Sequence, residues 1–217
     1  MKRMFSILLL IVFSSSVNAQ WYEAAVLVMN DGTVKKGSAQ YVVDTHKRLR
    51  FKSSIDGKSE SLTHQDIKRI TYYFPNDTTI FERLSYYTNI KSNKLIHDSW
   101  FELVQPGYVS IYLVRVSLGG GKTIVKSGSS ETPSIDVIKH DPAKFKDYYA
   151  FKEGEPGGRQ ISSVSSMNNN AVFKKFAPIY FSDYPELAEK IKNKEYTYED
   201  ILEVTNIYND WIAAKKK

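Results

Sequence analysis

What most constrains the fold of this chain is the period of its apolar residues, which is two as far as Val164 and 3.6 from Asn168 onward. Arg48-Leu49-Arg50-Phe51-Lys52 shows the first period cleanly. In an extended strand Leu49 and Phe51 share one face and the three cations share the other. Tight-turn signals separate the runs: Asn30-Asp31-Gly32 divides Ala24–Met29 from Thr33–Val43, and Asp56-Gly57 precedes Lys58–Leu62. Gly37, inside the second run, predicts a bulge or bend. Thr63-His64-Gln65-Asp66 reads as a single capped helical turn, after which Ile67–Phe74 returns to strand. Five short strands with a helical turn before the fifth is the order of small SH3-like or Sm-like barrels. A plain antiparallel meander fits the same pattern.

After the turn Pro75-Asn76-Asp77 the strand signal continues in Thr78–Leu84, Leu95–Val104, Tyr108–Leu118, Lys122–Val125, Tyr148–Lys152 and Gln160–Val164. Pro156-Gly157-Gly158 reads as a breaker, and residues 134–147 carry no clear period. Helices are predicted over 168–176 (stopped before Pro178), 184–193 and 198–213. Asp183 is expected to cap the second by accepting the amide of Glu186, with Pro185 in the first turn. Thr197-Tyr198-Glu199-Asp200 caps the third, which places Ile201, Val204, Tyr208 and Trp211 on one side. The expected class is α+β and mostly antiparallel β. A small barrel or meander occupies 21–75, and a second antiparallel sheet with C-terminal helices occupies 76–212.

Composition decides where such a chain works. It has 217 residues, 42% apolar and 25% charged, as in an ordinary globular protein. It has no cysteine, which excludes disulfides, zinc–cysteine sites, iron–sulfur clusters and thiol catalysis. Met1-Lys2-Arg3, the apolar stretch Phe5–Phe13, and Val17 and Ala19 before Gln20 form the three-part pattern of a secretory signal peptide, residues 1–19, cleaved between Ala19 and Gln20. The apolar stretch is too short for a bilayer span, which needs about 20 residues. Cleavage removes Lys2 and Arg3 and lowers the net charge from +6 to +4. That is too little to argue for nucleic acid. The expected destination is periplasm, outer-membrane periphery or medium, with no transmembrane segment after cleavage.

Local motifs carry little chemistry. Gly119-Gly120-Gly121-Lys122-Thr123 evokes a phosphate-binding loop, but Val116 stands where that loop requires glycine, so a glycine-rich turn is expected. His46, His64, His97 and His140 have no metal-ligand spacing, and no cofactor is expected. The acids Glu186, Glu189, Glu199, Asp200 and Glu203 fall where helix caps, dipoles and i, i+4 pairs explain them. No Asp-x-Asp-x-Asp loop suggests calcium. The best candidate surface is the basic strand face of Arg48, Arg50 and Lys52, joined by Lys35 and Lys36 if the strands pair. Outside the cytosol such a patch meets anionic lipid headgroups, lipopolysaccharide or an acidic partner. Tyr72-Tyr73-Phe74, Tyr86-Tyr87 and Tyr148-Tyr149-Ala150-Phe151 could stack on sugars, although alternate members must face opposite sides of a strand.

Asp31-Gly32-Thr33-Val34-Lys35-Lys36-Gly37, Phe81-Glu82-Arg83-Leu84 and Tyr180-Phe181-Ser182-Asp183-Tyr184-Pro185-Glu186-Leu187, with Ile191, Tyr196, Asp200-Ile201 and Tyr208-Asn209, carry a resemblance. In these the chain resembles exported proteins of unknown function common in Bacteroidota-type bacteria. The resemblance implies the address and supplies no catalytic residues. The expectation is a non-enzymatic envelope or periplasmic module that binds an envelope protein, a glycan or an anionic surface. The alternative is a secreted hydrolase acting on polysaccharide or peptide.

Overall fold

The computed structural model describes residues 22–42, 47–54, 56–87, 90–114, 147–162 and 169–216. The expected signal segment with Ala19 and Gln20, the run Gly119–Thr123, and His46 and His140 lie outside them. The fold is α+β: mostly antiparallel strands in one large sheet, with three helices at the C-terminal end. The strands are β1 (Tyr22–Met29), β2 (Val34–Gln40), β3 (Arg48–Lys52), β4 (Glu60–Thr63), β5 (Ile67–Phe74), β6 (Asp77–Tyr87), β7 (Leu95–Gln105), β8 (Val109–Val114), β9 (Asp147–Lys152) and β10 (Gly158–Gln160). The expected helical turn is a 3-10 turn, His64–Asp66, between β4 and β5.

The sheet order is β10-β9-β8-β7-β6-β5-β1-β2-β3-β4. A plain meander would place β5 beside β4, but β5 instead returns to pair with β1. The two-residue turn Pro75-Asn76 then joins β5 to β6, so the strands before and after it form one continuous ladder. Along a single edge, β6 pairs with β5 through Glu82 and then, from Tyr86, in parallel with β10. A register shift between Leu84 and Tyr86 separates the two segments. Because β10 also pairs with β9, strands β6 to β10 close into a ring.

Period-two burial explains how one sheet serves two cores. In the first five strands Leu27, Ala39, Leu49, Phe51, Ile70 and Tyr72 share one face, and Phe81 of β6 and Trp100 of β7 complete that core. The opposite face is solvent-directed there but turns inward within the ring, where Phe101, Tyr112 and Tyr149 pack with Tyr86 and Phe151. The outer face of β8 and β9 presents Val109, Ile111, Leu113, Tyr148 and Ala150 to the helices. Burial on both faces is why Val109–Val114 reads as a near-continuous apolar run rather than an alternating one.

The helices are α1 (Asn169–Tyr180), α2 (Pro185–Lys192) and α3 (Ile201–Lys215). Ile201, Val204 and Tyr208 are buried, as the helical period requires, and Trp211 stacks on Tyr184 with ring centroids 4.5 Å apart. The Asp200 carboxylate accepts the Thr197 amide at 2.7 Å, as expected of the cap. Three expectations need correction. First, α1 runs through Pro178 to Tyr180 because Ala177, Pro178 and Tyr180 are buried, and that burial outweighs one missing backbone bond. Second, Gly37 makes no bulge: the β1–β2 ladder passes through it in register. A Cβ there would lie 2.0 Å from the Lys52 carbonyl oxygen, so the glycine admits β3 at close range. Third, the glycine breaker belongs partly to β10, because a Cβ on Gly158 would lie 2.3 Å from the Phe151 ring inside the closed ring.

Candidate functional site

Two surfaces carry chemistry. The first is the basic strand face. Strict alternation in β3 buries Leu49 and Phe51 and turns Arg48, Arg50 and Lys52 outward. Ser38 of β2 lies opposite Lys52, so Lys36, two residues along, joins the same outward face. Lys35 does not. Period two places it on the core side, where it pairs with Glu60 at 2.9 Å and stands 5.9 Å from the Phe51 ring centroid. The outward cations have mild partners: Arg48 Nε donates to Ser61 Oγ at 2.9 Å, and Lys52 lies 4.8 Å from the Tyr22 ring centroid. Further across the same face are Val34, 53% exposed, and Tyr73, 48% exposed.

On the same sheet face, across β1 and β5, Glu82 of β6 accepts Arg69 Nε at 2.6 Å and also the Tyr112 hydroxyl. Its position marks where the solvent-directed face becomes ring interior. Burial, and after it the bond to Glu82, holds the Tyr112 hydroxyl above the ordinary tyrosine range.

The second surface is a cleft of about 280 Å³ lined by Ile90, Lys152, Glu155, Arg159, Ile179, Tyr180, Ser182 and Asp183. The end of β9 supplies Lys152, β10 supplies Arg159, and the end of α1 with the turn after it supplies the last four. Asp183 corrects the sequence reading. The amino end of α2 has no side-chain cap, and Asp183 turns into the cleft instead. Its Oδ2 accepts Lys152 Nζ at 3.1 Å and the Tyr208 hydroxyl at 2.6 Å. Partial burial raises its carboxyl pKa, but those two hydrogen bonds and the lysine charge outweigh it and leave a net value below the ordinary aspartate range. Such a group is the opposite of the raised-pKa general acid that glycosidic hydrolysis uses. Lys152 Nζ also stands 5.1 Å from the Tyr208 ring centroid and 5.7 Å from that of Tyr180. Arg159 Nη1 donates to the carbonyls of Ile90 at 3.0 Å and Ser92 at 3.2 Å, with its guanidinium 4.0 Å from the Tyr87 centroid.

Sequence reasoning missed this cleft as a site. Lys152 and Asp183 are 31 positions apart, and only the docking of the helices brings them together. The described histidines lie elsewhere. The indole of Trp100 donates to His64 Nδ1 at 3.1 Å in the first core, and His97 pairs with Ser85 at 3.0 Å. Among the described residues no three His, Asp or Glu side chains cluster as metal ligands, and no helix is long and apolar enough to cross a membrane. The aromatic runs divide as alternation demands: Tyr72 is buried and Tyr73 exposed. No protein-family model, curated protein or solved structure matches the chain.

Proposed function

We propose that this chain is an exported envelope or periplasmic protein that acts as a non-enzymatic binding module, engaging anionic lipid headgroups through the outward face of β2 and β3. One observation carries the reading: Lys36, Arg48, Arg50 and Lys52 share one face of two adjacent strands, and Glu82, on the same sheet face across β1 and β5, is paired with Arg69. Each cation held near an anionic surface contributes about 1 kcal/mol. Val34 and Tyr73, half exposed beside them, are side chains suited to the headgroup boundary.

The test is co-sedimentation of the mature protein with vesicles of phosphatidylglycerol or of phosphatidylcholine. Binding to the anionic vesicles alone is expected, weakening as salt rises. Arg48→Glu combined with Arg50→Glu should abolish it while leaving the melting temperature nearly unchanged, since both side chains are exposed. Undiminished binding by that double variant would remove the basic face as the lipid contact.

A further inference from the structure

The cleft beside α1 is independent of the basic face, and its chemistry is different. Its charges are balanced internally. Lys152 is paired with Asp183, and Arg159 is held by two backbone carbonyls and the face of Tyr87. A free anion or cation would therefore meet no net charge of opposite sign. What remains on the walls is a mixed set of hydrogen-bonding groups. Lys152 has three N–H donors, one of them committed to Asp183; both bonds to Asp183 fall on Oδ2; and the Glu155 carboxylate is exposed. Ile90 and Ile179 add aliphatic surface.

The decisive group is Tyr180. Tyr180 lines the cleft and is 7% exposed, and its hydroxyl is buried without a hydrogen-bond partner among the described residues. Buried hydroxyls are almost always satisfied, so one that is not calls for a structural or functional account. Burial, with Glu155 adding to it, keeps this phenol well above its ordinary range, so at neutral pH it is a donor. Lys152, whose Nζ stands 5.7 Å from the Tyr180 ring centroid, and Glu155, whose charge acts on the phenol, are long side chains of the cleft wall. Side chains of that kind change rotamer readily when a ligand enters.

We propose that the cleft is a binding site for a neutral polyhydroxylated ligand the size of one sugar ring, with the Tyr180 hydroxyl donating to it and Glu155 and Asp183 accepting from it. A hydroxyl both donates and accepts, which matches adjacent lysine and carboxylate groups, and the C–H face of a sugar ring matches Ile90 and Ile179. The volume of about 280 Å³ lies at the small end of ligand pockets and suits a single ring.

The experiment is a titration of the mature protein with glucose, galactose, mannose and N-acetylglucosamine, read by amide resonances and melting temperature, with inorganic phosphate in parallel. At least one monosaccharide should shift the resonances of residues 152–159 and 179–183 and raise the melting temperature, while phosphate does neither. Tyr180→Phe removes the orphan hydroxyl, so the free protein should melt at the same or a higher temperature while monosaccharide affinity falls about tenfold. Glu155→Gln, on the surface, should weaken binding with the fold intact. Three results would each overturn the proposal: no response to any monosaccharide, a response to phosphate alone, or a Tyr180→Phe variant that melts lower and binds unchanged.

Discussion

Asn209 of α3 treats Val109 of β8 as a strand neighbour would: its Oδ1 accepts the Val109 amide at 2.8 Å and its Nδ2 donates to the Val109 carbonyl at 3.0 Å. Val109 is fully buried, so these backbone groups have no water to fall back on. Gly107 makes room for the carboxamide, because a Cβ there would lie 2.2 Å from Asn209 Nδ2. Asn209→Ala should cost about 2 kcal/mol for the two groups it strands. Gly107→Ala should cost a similar amount by displacing the same side chain. Denaturant melts of both singles and the double variant check this: the double should cost much less than the sum, since each change breaks one shared contact.

That contact also shows where the sequence stops being legible. Strand and helix positions follow from local period, and the faces of β3 and α3 came out as Arg48–Lys52 and Ile201–Tyr208 predict. The return of β5 to β1 and the closure of β10 on β6 depend on pairings between distant segments, which local period does not encode. Asp183 shows the limit most plainly. An acid one residue before Tyr-Pro-Glu has the local pattern of a cap, yet a lysine 31 residues upstream and a tyrosine 25 downstream compete for it and win. Lys35 and Lys36 are adjacent in sequence and end on opposite faces, which alternation alone could have told.

Ring closure rests on Gly158. It pairs with Tyr86 of β6, and its missing Cβ leaves the space taken by the Phe151 ring. Gly158→Ala must displace an aromatic packed against Phe101 and Tyr112, with centroids 5.1 and 4.8 Å away. A loss of about 2–3 kcal/mol is expected, the usual range for overpacking a tight core. Adding Phe151→Leu should recover part of that loss. Amide exchange should show β10 opening earlier than β8 in the single variant.

One link between the first five strands and β7 is the Trp100 indole on His64, with rings 5.6 Å apart and nearly perpendicular. Trp100 is 5% exposed and belongs to the first core, so Trp100→Phe loses both volume and the N–H donor. A cost of about 2–3 kcal/mol is expected by urea melts, part of it cavity. A double-mutant cycle with His64→Ala should return a coupling of about 1 kcal/mol, and zero coupling would show that the bond itself contributes nothing.

Asp183 gives the fold a pH dependence of defined sign. Its carboxyl is held below the ordinary aspartate value by Tyr208 and Lys152, despite the opposing effect of partial burial. A carboxyl with a depressed folded-state pKa adds stability that is fully present above the unfolded value, about 3.9, and is lost as pH falls through the folded value. Asp183→Asn keeps an oxygen for the Tyr208 hydroxyl but removes the charge facing Lys152. Because the side chain is 49% exposed, the expected cost at neutral pH is only about 1 kcal/mol. Melting temperatures of the wild type and Asp183→Asn should therefore differ at pH 7 and converge below about pH 4. Tyr208→Phe, which removes one of the two donors, should move that convergence toward higher pH. A gap of constant size from pH 7 down to pH 3 would mean that the Asp183 charge does not stabilise the fold through this pair.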